Sequence, residues 1–448
     1  MKLTVPLLEI TEDEGFSEKD IFKRKEFGER LANLVESSDG ELVIALDAPW
    51  GEGKSTFIKM WQGHLKKKDN GVHTIYFNAF ENDHQNAPFL ALASEIYNLI
   101  DVTKKAEKPK FEKKVLSALK TTGRIGLRIG TKLLIGSALD ETVLDPDTKK
   151  EITKEAANAM DSYMSTRLKS VAKDKIAIKQ FKEYLEKLPQ KLSKKGKSIV
   201  FIIDELDRCK PPFALEIVEV VKHLFSVPNI TFILVMNRTQ LEASVIKEYG
   251  TSDPSKYLQK FINLWISLPK VHVSDERTTK VYLRYCAKQM GMESQQNFAK
   301  DEWMGIFEEL GDHYDLSLRD MERALTNVSF IRRTLTRDLS VFDRWIAVYL
   351  SIIKVIYTQE YNLLATSKIE YTDLFTKTRL TDLADGDTHN HFAEKHILKW
   401  VLRYCLIDER KRRSFMEGGI PFGLSVLPSR GKNSIQDICQ LLDSLRIN

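Results

Sequence analysis

The residue types best suited to chemistry stand together near the start of the chain. Directly after the apolar run of residues 42–46 and three intervening residues, the chain reads Trp50, Gly51, Glu52, Gly53, Lys54, Ser55 and Thr56. Glycines let backbone N–H groups turn inward around a phosphate, and the N-terminus of a following helix adds partial positive charge. Lys54 then reaches the β- and γ-phosphates of a nucleotide, and the Ser55 hydroxyl ligates Mg²⁺. With a strand before it and a helix after it, this spacing predicts a phosphate-binding loop rather than an ordinary strand-to-helix turn.

Two carboxylates end a second apolar run much later in the chain. Residues 199–203 are all apolar and lead directly into Asp204 and Glu205. Such a run predicts a buried parallel strand with acids at its carboxyl end, where open α/β sheets bind ligands. Asp204 suits a partner of Mg²⁺, and Glu205 suits the base that orients and deprotonates an attacking water. A solvated strand end is the alternative for this pair alone, but together with Lys54 the pair predicts hydrolysis of a bound nucleotide.

A third buried strand is predicted at residues 229–236, and Asn237 follows it. In nucleotide hydrolases with an extra strand between the two nucleotide motifs, a polar side chain at this place contacts the γ-phosphate or the water. Asn237 is the candidate for that role. An asparagine in a turn at a strand end is the equally weighted alternative.

Four stretches together resemble the KAP family of P-loop NTPases: residues 50–55, 77–80, 202–209 and 257–262. The resemblance covers most of residues 15–335, and its most specific part runs from Asp204 to Pro212. Departures are Phe80 where the family usually has Trp, Glu205 where it often has Asp, and Asn237 where Asp is common. The resemblance implies an ATP- and Mg²⁺-dependent protein, often bacterial and linked to phage exclusion or other defence.

A helical lid is predicted beyond the last strand, over residues 271–340. Ser317 has the chemistry of a helix-capping residue, and Arg319 follows early in that helix. In many ATPases such an arginine reaches the γ-phosphate and couples the nucleotide state to domain position. Arg319 is the first candidate for this role and Arg323 the second, with a surface ion pair to Asp320 or Glu322 as the alternative.

Composition bounds the class of protein. The chain has 448 residues, 42% of them hydrophobic and 29% charged, so two or three soluble domains are expected. Its 68 basic and 63 acidic residues give a net charge of +5, too balanced to indicate nucleic acid by itself. The four cysteines lie far apart, which suits reduced thiols in a cytosol. No signal peptide and no uncharged apolar run of about 20 residues is present, so a cytoplasmic protein without a transmembrane segment is expected.

We therefore predict an α/β fold with a P-loop NTPase core and central parallel sheet over residues 1–270. The core carries a helical insertion at about 103–195, and a C-terminal helical domain at 341–448 follows the lid. The basic helices of the insertion indicate either a solvated surface or contact with an anionic partner, and nucleic-acid binding stays open. The C-terminal domain is expected to bind a protein partner. A homo-oligomer is possible, with Lys260 as the candidate cation for a neighbouring site and a plain surface lysine as the alternative.

The predicted function is Mg²⁺-dependent ATP hydrolysis used as a conformational switch in anti-phage defence or signalling. ATP is favoured over GTP because the chain lacks an Asn-Lys-x-Asp guanine-reading sequence. Two alternatives stand beside it. A nucleic-acid-stimulated motor would bind DNA or RNA with steep salt dependence. A non-catalytic scaffold would be stabilised by nucleotide without releasing phosphate.

Overall fold

The computed structural model describes residues 2–6, 8–11, 14–38, 40–68, 72–84, 87–103, 105–131, 173, 175–192, 197–270, 277–292, 302–335, 339–383, 396–417 and 432–444. Five strands form one parallel sheet: β1 (Leu42–Asp47), β2 (Val72–Asn78), β3 (Ser198–Asp204), β4 (Ile230–Met236) and β5 (Leu264–Ser267). Their order is β2-β3-β4-β1-β5. The predicted α/β class with a central parallel sheet is confirmed.

The central strands form because their sequences are apolar and rich in β-branched residues, which suits a sheet covered on both faces. Every residue of β3 and β4 is buried. On one face, Phe201 and Phe232 stack with ring centroids 5.3 Å apart. On the other face, Ile202 and Ile233 belong to a separate apolar cluster. The alternation of side chains along each strand therefore builds two cores, one on each side of the sheet.

Helices cover both faces of the sheet. In the core they are α1 (Lys25–Glu36), α2 (Lys54–Lys68), α3 (Pro88–Thr103), α4 (Lys108–Thr131), α5 (Leu188–Leu192), α6 (Pro211–Val220), α7 (Arg238–Tyr249) and α8 (Pro254–Leu258). Residues 175–186 are also helical, and a π-helical turn, Val221–Phe225, continues α6. The described parts of the predicted insertion are thus helical. Residues 104, 132–172, 174 and 193–196 lie outside the described part of the chain.

Beyond β5 the described chain is helical. The lid consists of α9 (Thr278–Met290), α10 (Glu302–His313) and α11 (Leu318–Thr334). The C-terminal region follows with α12 (Val341–Ile356), α13 (Thr358–Ala365), α14 (Tyr371–Lys377), α15 (Ile397–Leu406), α16 (Glu409–Glu417) and α17 (Lys432–Ser444). One apolar cluster runs through both groups, with α12 buried along most of its length. The lid and the C-terminal helices therefore share a core, and the boundary placed at residue 340 stays a prediction.

The N-terminal segment binds the core and the lid together. Its start donates a hydrogen bond from the Lys2 backbone N–H to the Met290 carbonyl of α9, at 2.7 Å. Farther along, Gly15 lies so close to Gly63 of α2 that a Cβ on Gly63 would stand 2.4 Å from the Gly15 nitrogen. A glycine is required at position 63 because the two backbones leave no room for a side chain.

Among the helices in the described part of the chain, none is both long and apolar enough to cross a membrane. The most apolar part of the insertion lies in and after α4, and its end falls outside the described residues.

The close contact at Gly63 gives a test of the fold. Replacing glycine by alanine inside a helix normally stabilises it by about 0.5–1 kcal/mol. We expect Gly63→Ala to lower the free energy of unfolding instead, by about 1–3 kcal/mol, because the new Cβ overpacks against the Gly15 backbone. Gly305→Ala in α10 is the matched control, since no atom lies within 4 Å of its added Cβ. Thermal unfolding of both variants checks this, and a higher melting temperature for Gly63→Ala would contradict the packing.

Candidate functional site

A cavity of about 340 Å³ lies at the carboxyl edge of the sheet. Its polar part is lined by the phosphate loop, by Asp204 and Glu205 at the end of β3, and by Arg319 of α11. Its apolar part is lined by residues from the N-terminal segment and α9: Val5, Pro6, Leu8, Ile21, Phe22, Tyr282 and Tyr285. The two sequence-predicted motifs and the lid arginine are therefore brought to one place, although each comes from a different element.

The loop between β1 and α2 has the backbone that its sequence predicts. Gly51 and Gly53 have φ values of +84° and +78°, in the left-handed region that side chains other than glycine avoid. Helix α2 begins at Lys54, whose ammonium donates to the carbonyls of Ala48 at 2.5 Å and Pro49 at 3.0 Å. Burial lowers the pKa of Lys54, and the carboxylates of Asp207 and Asp204 oppose that shift. The loop carbonyls thus hold the Lys54 ammonium beside the cavity, and Ser55 and Thr56 follow in the first turn of α2.

Asp204 is fixed in its place. It is 1% exposed, and its Oδ2 accepts a hydrogen bond from the Tyr76 hydroxyl at 2.9 Å. Its Oδ1 accepts from the backbone N–H of Glu205 at 2.8 Å. Burial, followed by the charge of Asp204, raises the pKa of the Tyr76 hydroxyl, which therefore stays a donor. A buried carboxylate needs such partners, because desolvating a charge without hydrogen bonds is costly.

Glu205 is held more loosely than its neighbour. Its backbone is left-handed, with φ of +58°, and begins the short 3-10 turn Leu206–Arg208. The carboxylate makes an ion pair with Arg208 at 2.9 Å, and both side chains are partly exposed. Burial raises the pKa of Glu205, while the charge of Arg208 lowers it. A carboxylate with raised basicity at a cavity wall has the properties of a general base.

The oxygen donors of the site fit a magnesium ion. The Ser55 hydroxyl and the Asp204 carboxylate line the same cavity, and Mg²⁺ prefers hard oxygen ligands of this kind. Within the described residues there is no group of three or more His, Cys, Asp or Glu side chains that would hold a metal without help. That fits an ion bound through one or two protein oxygens together with phosphate oxygens and water.

The lid reaches the phosphate loop directly. Ser317 caps α11, its Oγ accepting the N–H of Asp320 at 3.2 Å, as the sequence predicts. A Cβ placed on Gly51 would stand 2.9 Å from both the Ser317 Oγ and the Arg319 Cβ. Arg319 therefore lies beside the loop, whereas Arg323, the second candidate, is not among the residues lining the cavity.

Arg24 is a part of the site that sequence reasoning missed. It is 4% exposed, and its guanidinium donates to the Glu52 carbonyl at 3.1 Å and to the Pro269 carbonyl at 3.3 Å. The guanidinium also lies over the Phe22 ring, 4.7 Å from the centroid. Burial lowers the pKa of Arg24 to about 10, against the opposing charge of Glu52. No local pattern distinguishes this arginine from the other basic residues around it, so only the fold identifies it.

Three aromatic residues in or near the cavity have defined packing partners. Phe22 stacks on Tyr282 of α9 with centroids 5.8 Å apart, so the N-terminal segment and the lid meet there. Phe27 packs on Phe57 and is not among the residues that line the cavity. Trp50 is 45% exposed, and its indole N–H donates to Asp207 in the turn after β3.

Two predicted residues are not among those that line the cavity. Asn237 follows β4, the strand that lies between β1 and β3 in the sheet. It directly precedes α7, but its side chain makes no capping hydrogen bond to that helix. Lys260 lies just past α8, with its ammonium 5.2 Å from the centroid of the Tyr257 ring. Neither residue is among those that line the cavity, and their roles stay predictions.

Comparison with known proteins agrees with the motifs. The sequence profile described as the KAP family P-loop domain matches residues 24–335. The "Phage T7 exclusion protein" of Escherichia coli (strain K12) is 24% identical over 247 residues, or 52% of this chain. The match covers 31% of that protein, so this chain spans less than a third of its length. The family resemblance expected from the motifs is confirmed.

Two solved structures of the Aeropyrum pernix ORC2 protein also align with the chain. The alignment with the ADP form covers 97% of this chain and 88% of the ORC2 chain, with 14% identity and a TM-score of 0.36. The alignment with the ADPNP-ADP complexes covers 96% of this chain and 97% of the ORC2 chain, with 13% identity and a TM-score of 0.34.

The contact between Gly51 and the lid can be tested by adding one methyl group. We expect Gly51→Ala to weaken ATP binding at least tenfold, because its Cβ meets Ser317 and Arg319 while the backbone needs a positive φ. Gly250→Ala is the matched control. That residue also has a positive φ, +60°, but no atom lies within 4 Å of an added Cβ. The control loses about 1–2 kcal/mol of stability and keeps its affinity. Titration with a fluorescent ATP analogue separates the two, and equal affinities would refute the contact.

Proposed function

Because the chain belongs to the KAP family of P-loop domains, we propose that it is a Mg²⁺-dependent ATP hydrolase whose bound nucleotide sets the position of its lid. The observation that carries this proposal is the shared cavity. The phosphate loop, the Asp204–Glu205 pair and Arg319 of the lid all line it. A loop that only bound nucleotide for stability would not need a partly buried glutamate at the end of β3.

The phosphates belong at the loop. The Lys54 ammonium, now bonded to two loop carbonyls, exchanges these neutral acceptors for the charged oxygens of the β- and γ-phosphates. Charge-assisted hydrogen bonds are roughly twice as strong as neutral ones. Ser55 and Asp204 supply the protein oxygens for Mg²⁺, which when bound neutralises charge on the phosphates.

Glu205 is the proposed base for the attacking water. Its ion pair with Arg208 joins partly exposed side chains, and such a pair is worth about 0–1 kcal/mol. The glutamate can therefore leave Arg208 at little cost and turn to the water. Asp204 is assigned to Mg²⁺ instead, because the hydrogen bonds from the Tyr76 hydroxyl and the Glu205 backbone N–H hold its carboxylate in one orientation, which suits a fixed metal ligand.

The lid is the element that the nucleotide moves in this proposal. Arg319 lies beside the phosphate loop, and Phe22 stacks on Tyr282 at the apolar end of the cavity. A nucleotide therefore contacts lid residues near its phosphates and near its base. The lid shares its core with the C-terminal helices, so a change in lid position also moves the surface that we propose for a protein partner.

A role in defence against phage is part of the proposal. It is supported by the relative named for the exclusion of phage T7, together with the shared family. We propose ATP as the nucleotide because the sequence lacks an Asn-Lys-x-Asp motif for guanine. Phosphate release measured with and without DNA and RNA separates this function from that of a nucleic-acid motor.

Removing the Lys54 ammonium tests nucleotide binding. A ligand at a hundredfold excess over its dissociation constant stabilises a protein by about 2.7 kcal/mol. We expect Lys54→Ala to lose most of this stabilisation by Mg²⁺ and ATP, because no other residue of the loop between β1 and α2 carries a positive charge. Lys59→Ala, exposed on the same helix, should keep it. A thermal shift for Lys54→Ala equal to that of the wild type would disprove the assignment of the loop.

Glu205→Gln tests hydrolysis separately from binding. The amide keeps the size of the side chain but cannot take a proton, so turnover should fall about 100-fold or more while ATP affinity is preserved. Glu216→Gln, on the exposed side of α6, is the control. Phosphate release measures turnover, and titration with a fluorescent ATP analogue measures nucleotide affinity. Normal turnover by Glu205→Gln would remove this residue from the mechanism.

A further inference from the structure

Tyr76 lies in β2 next to β3. In the described part of the chain, it is the one β2 residue whose side chain forms a hydrogen bond with Asp204. Its ring packs against the apolar cluster beneath the phosphate loop, which includes Ile44 and Leu46 of β1. Its hydroxyl donates to the Asp204 Oδ2 at 2.9 Å. Tyr76 itself does not line the cavity, whereas Asp204 does. The Tyr76 hydroxyl therefore acts on the cavity through this carboxylate.

The hydrogen bonds of Asp204 fix the direction in which it faces. The Tyr76 hydroxyl occupies one lone pair of Oδ2, and the N–H of Glu205 occupies one lone pair of Oδ1. A carboxylate has about four such positions, so each oxygen keeps one for a further ligand. The Glu205 amide alone would leave the carboxylate free to rotate about its Cβ–Cγ bond. The two donors together hold the plane of the carboxylate.

The geometry points to Tyr76 as a positioning residue that orients the Asp204 carboxylate toward a divalent cation in the nucleotide cavity. This inference rests on the proposed function, because it assumes that a metal–nucleotide complex binds there. Partners that orient a ligating carboxylate strengthen metal binding without touching the metal, and their loss typically costs 10–100-fold in affinity. Tyr76 is thus expected to act on the metal and not on the nucleotide.

A purely structural role makes a different prediction. Tyrosine hydroxyls bond to carboxylates elsewhere in the chain, for example Tyr361 to the Asp443 Oδ1 at 2.9 Å in the C-terminal helices. Loss of that bond removes a comparable interaction outside the nucleotide cavity, which Tyr361 does not line. If Tyr76 were only structural, Tyr76→Phe and Tyr361→Phe would lower stability alike and leave metal binding alone.

The experiment uses Mn²⁺ as the probe and a non-hydrolysable ATP analogue, with the full chain. Electron paramagnetic resonance of free Mn²⁺ gives the metal affinity of the analogue complex, and fluorescence titration in EDTA gives the metal-free nucleotide affinity. We expect Tyr76→Phe to bind Mn²⁺ about 10–100-fold more weakly, with an unchanged nucleotide affinity in EDTA. Tyr361→Phe should match the wild type in both measurements. Melting temperatures of the two variants verify that both remain folded.

Each other outcome overturns the inference. Equal Mn²⁺ affinity for Tyr76→Phe and the wild type means that the hydroxyl does not orient the carboxylate for the metal. An equal loss of nucleotide affinity in EDTA means that the substitution damages the whole site. A wild-type protein that binds the analogue neither with nor without Mn²⁺ refutes the proposed function, and this inference with it. Failure of the inference alone is recognised by normal metal–nucleotide binding in both proteins.

Discussion

The arrangement of the site depends on the close approach of the lid to the phosphate loop at Gly51. The backbone there has a positive φ, and no space remains for a side chain between the loop and the start of α11. A side chain at this position would force the loop and the lid apart. Because packed contacts of this kind change in discrete steps rather than by gradual deformation, the lid has a defined position against the loop. A phosphate in the loop must therefore be accommodated together with Ser317 and Arg319.

Two adjacent carboxylates acquire different properties from the backbone that carries them. Asp204 ends a fully buried strand, and its side chain points into a site that supplies two donors. Glu205 follows in the left-handed region, which turns its side chain away to a partly exposed partner in the next turn. The dipeptide thus gives one carboxylate held in place by hydrogen bonds and one that forms a partly exposed ion pair. Neither property belongs to the residue type, because both come from the end of β3.

The sequence predicts well what depends on local pattern. The phosphate loop, the two carboxylates after β3 and the capping serine of α11 are all read from neighbouring residues, and Arg319 follows from its place in that helix. Contacts between distant elements are not predictable in this way. Arg24 joins residues that lie 28 and 245 positions away, and Tyr76 joins one that lies 128 away. These contacts follow from the order of the strands, which no periodicity encodes.

The same strand order explains how a long insertion leaves the site intact. The insertion's last described helix, α5, ends at Leu192, and β3 begins at Ser198, at the end of the strand opposite the cavity. Its described helices are anchored by aromatic packing, with Phe181 against Phe89 of α3 and Phe225 after α6. Insertion residues therefore fix the amino end of β3, while Asp204 and Glu205 stand at the carboxyl end. The seven residues of β3, all buried, thus separate the insertion from the carboxylates.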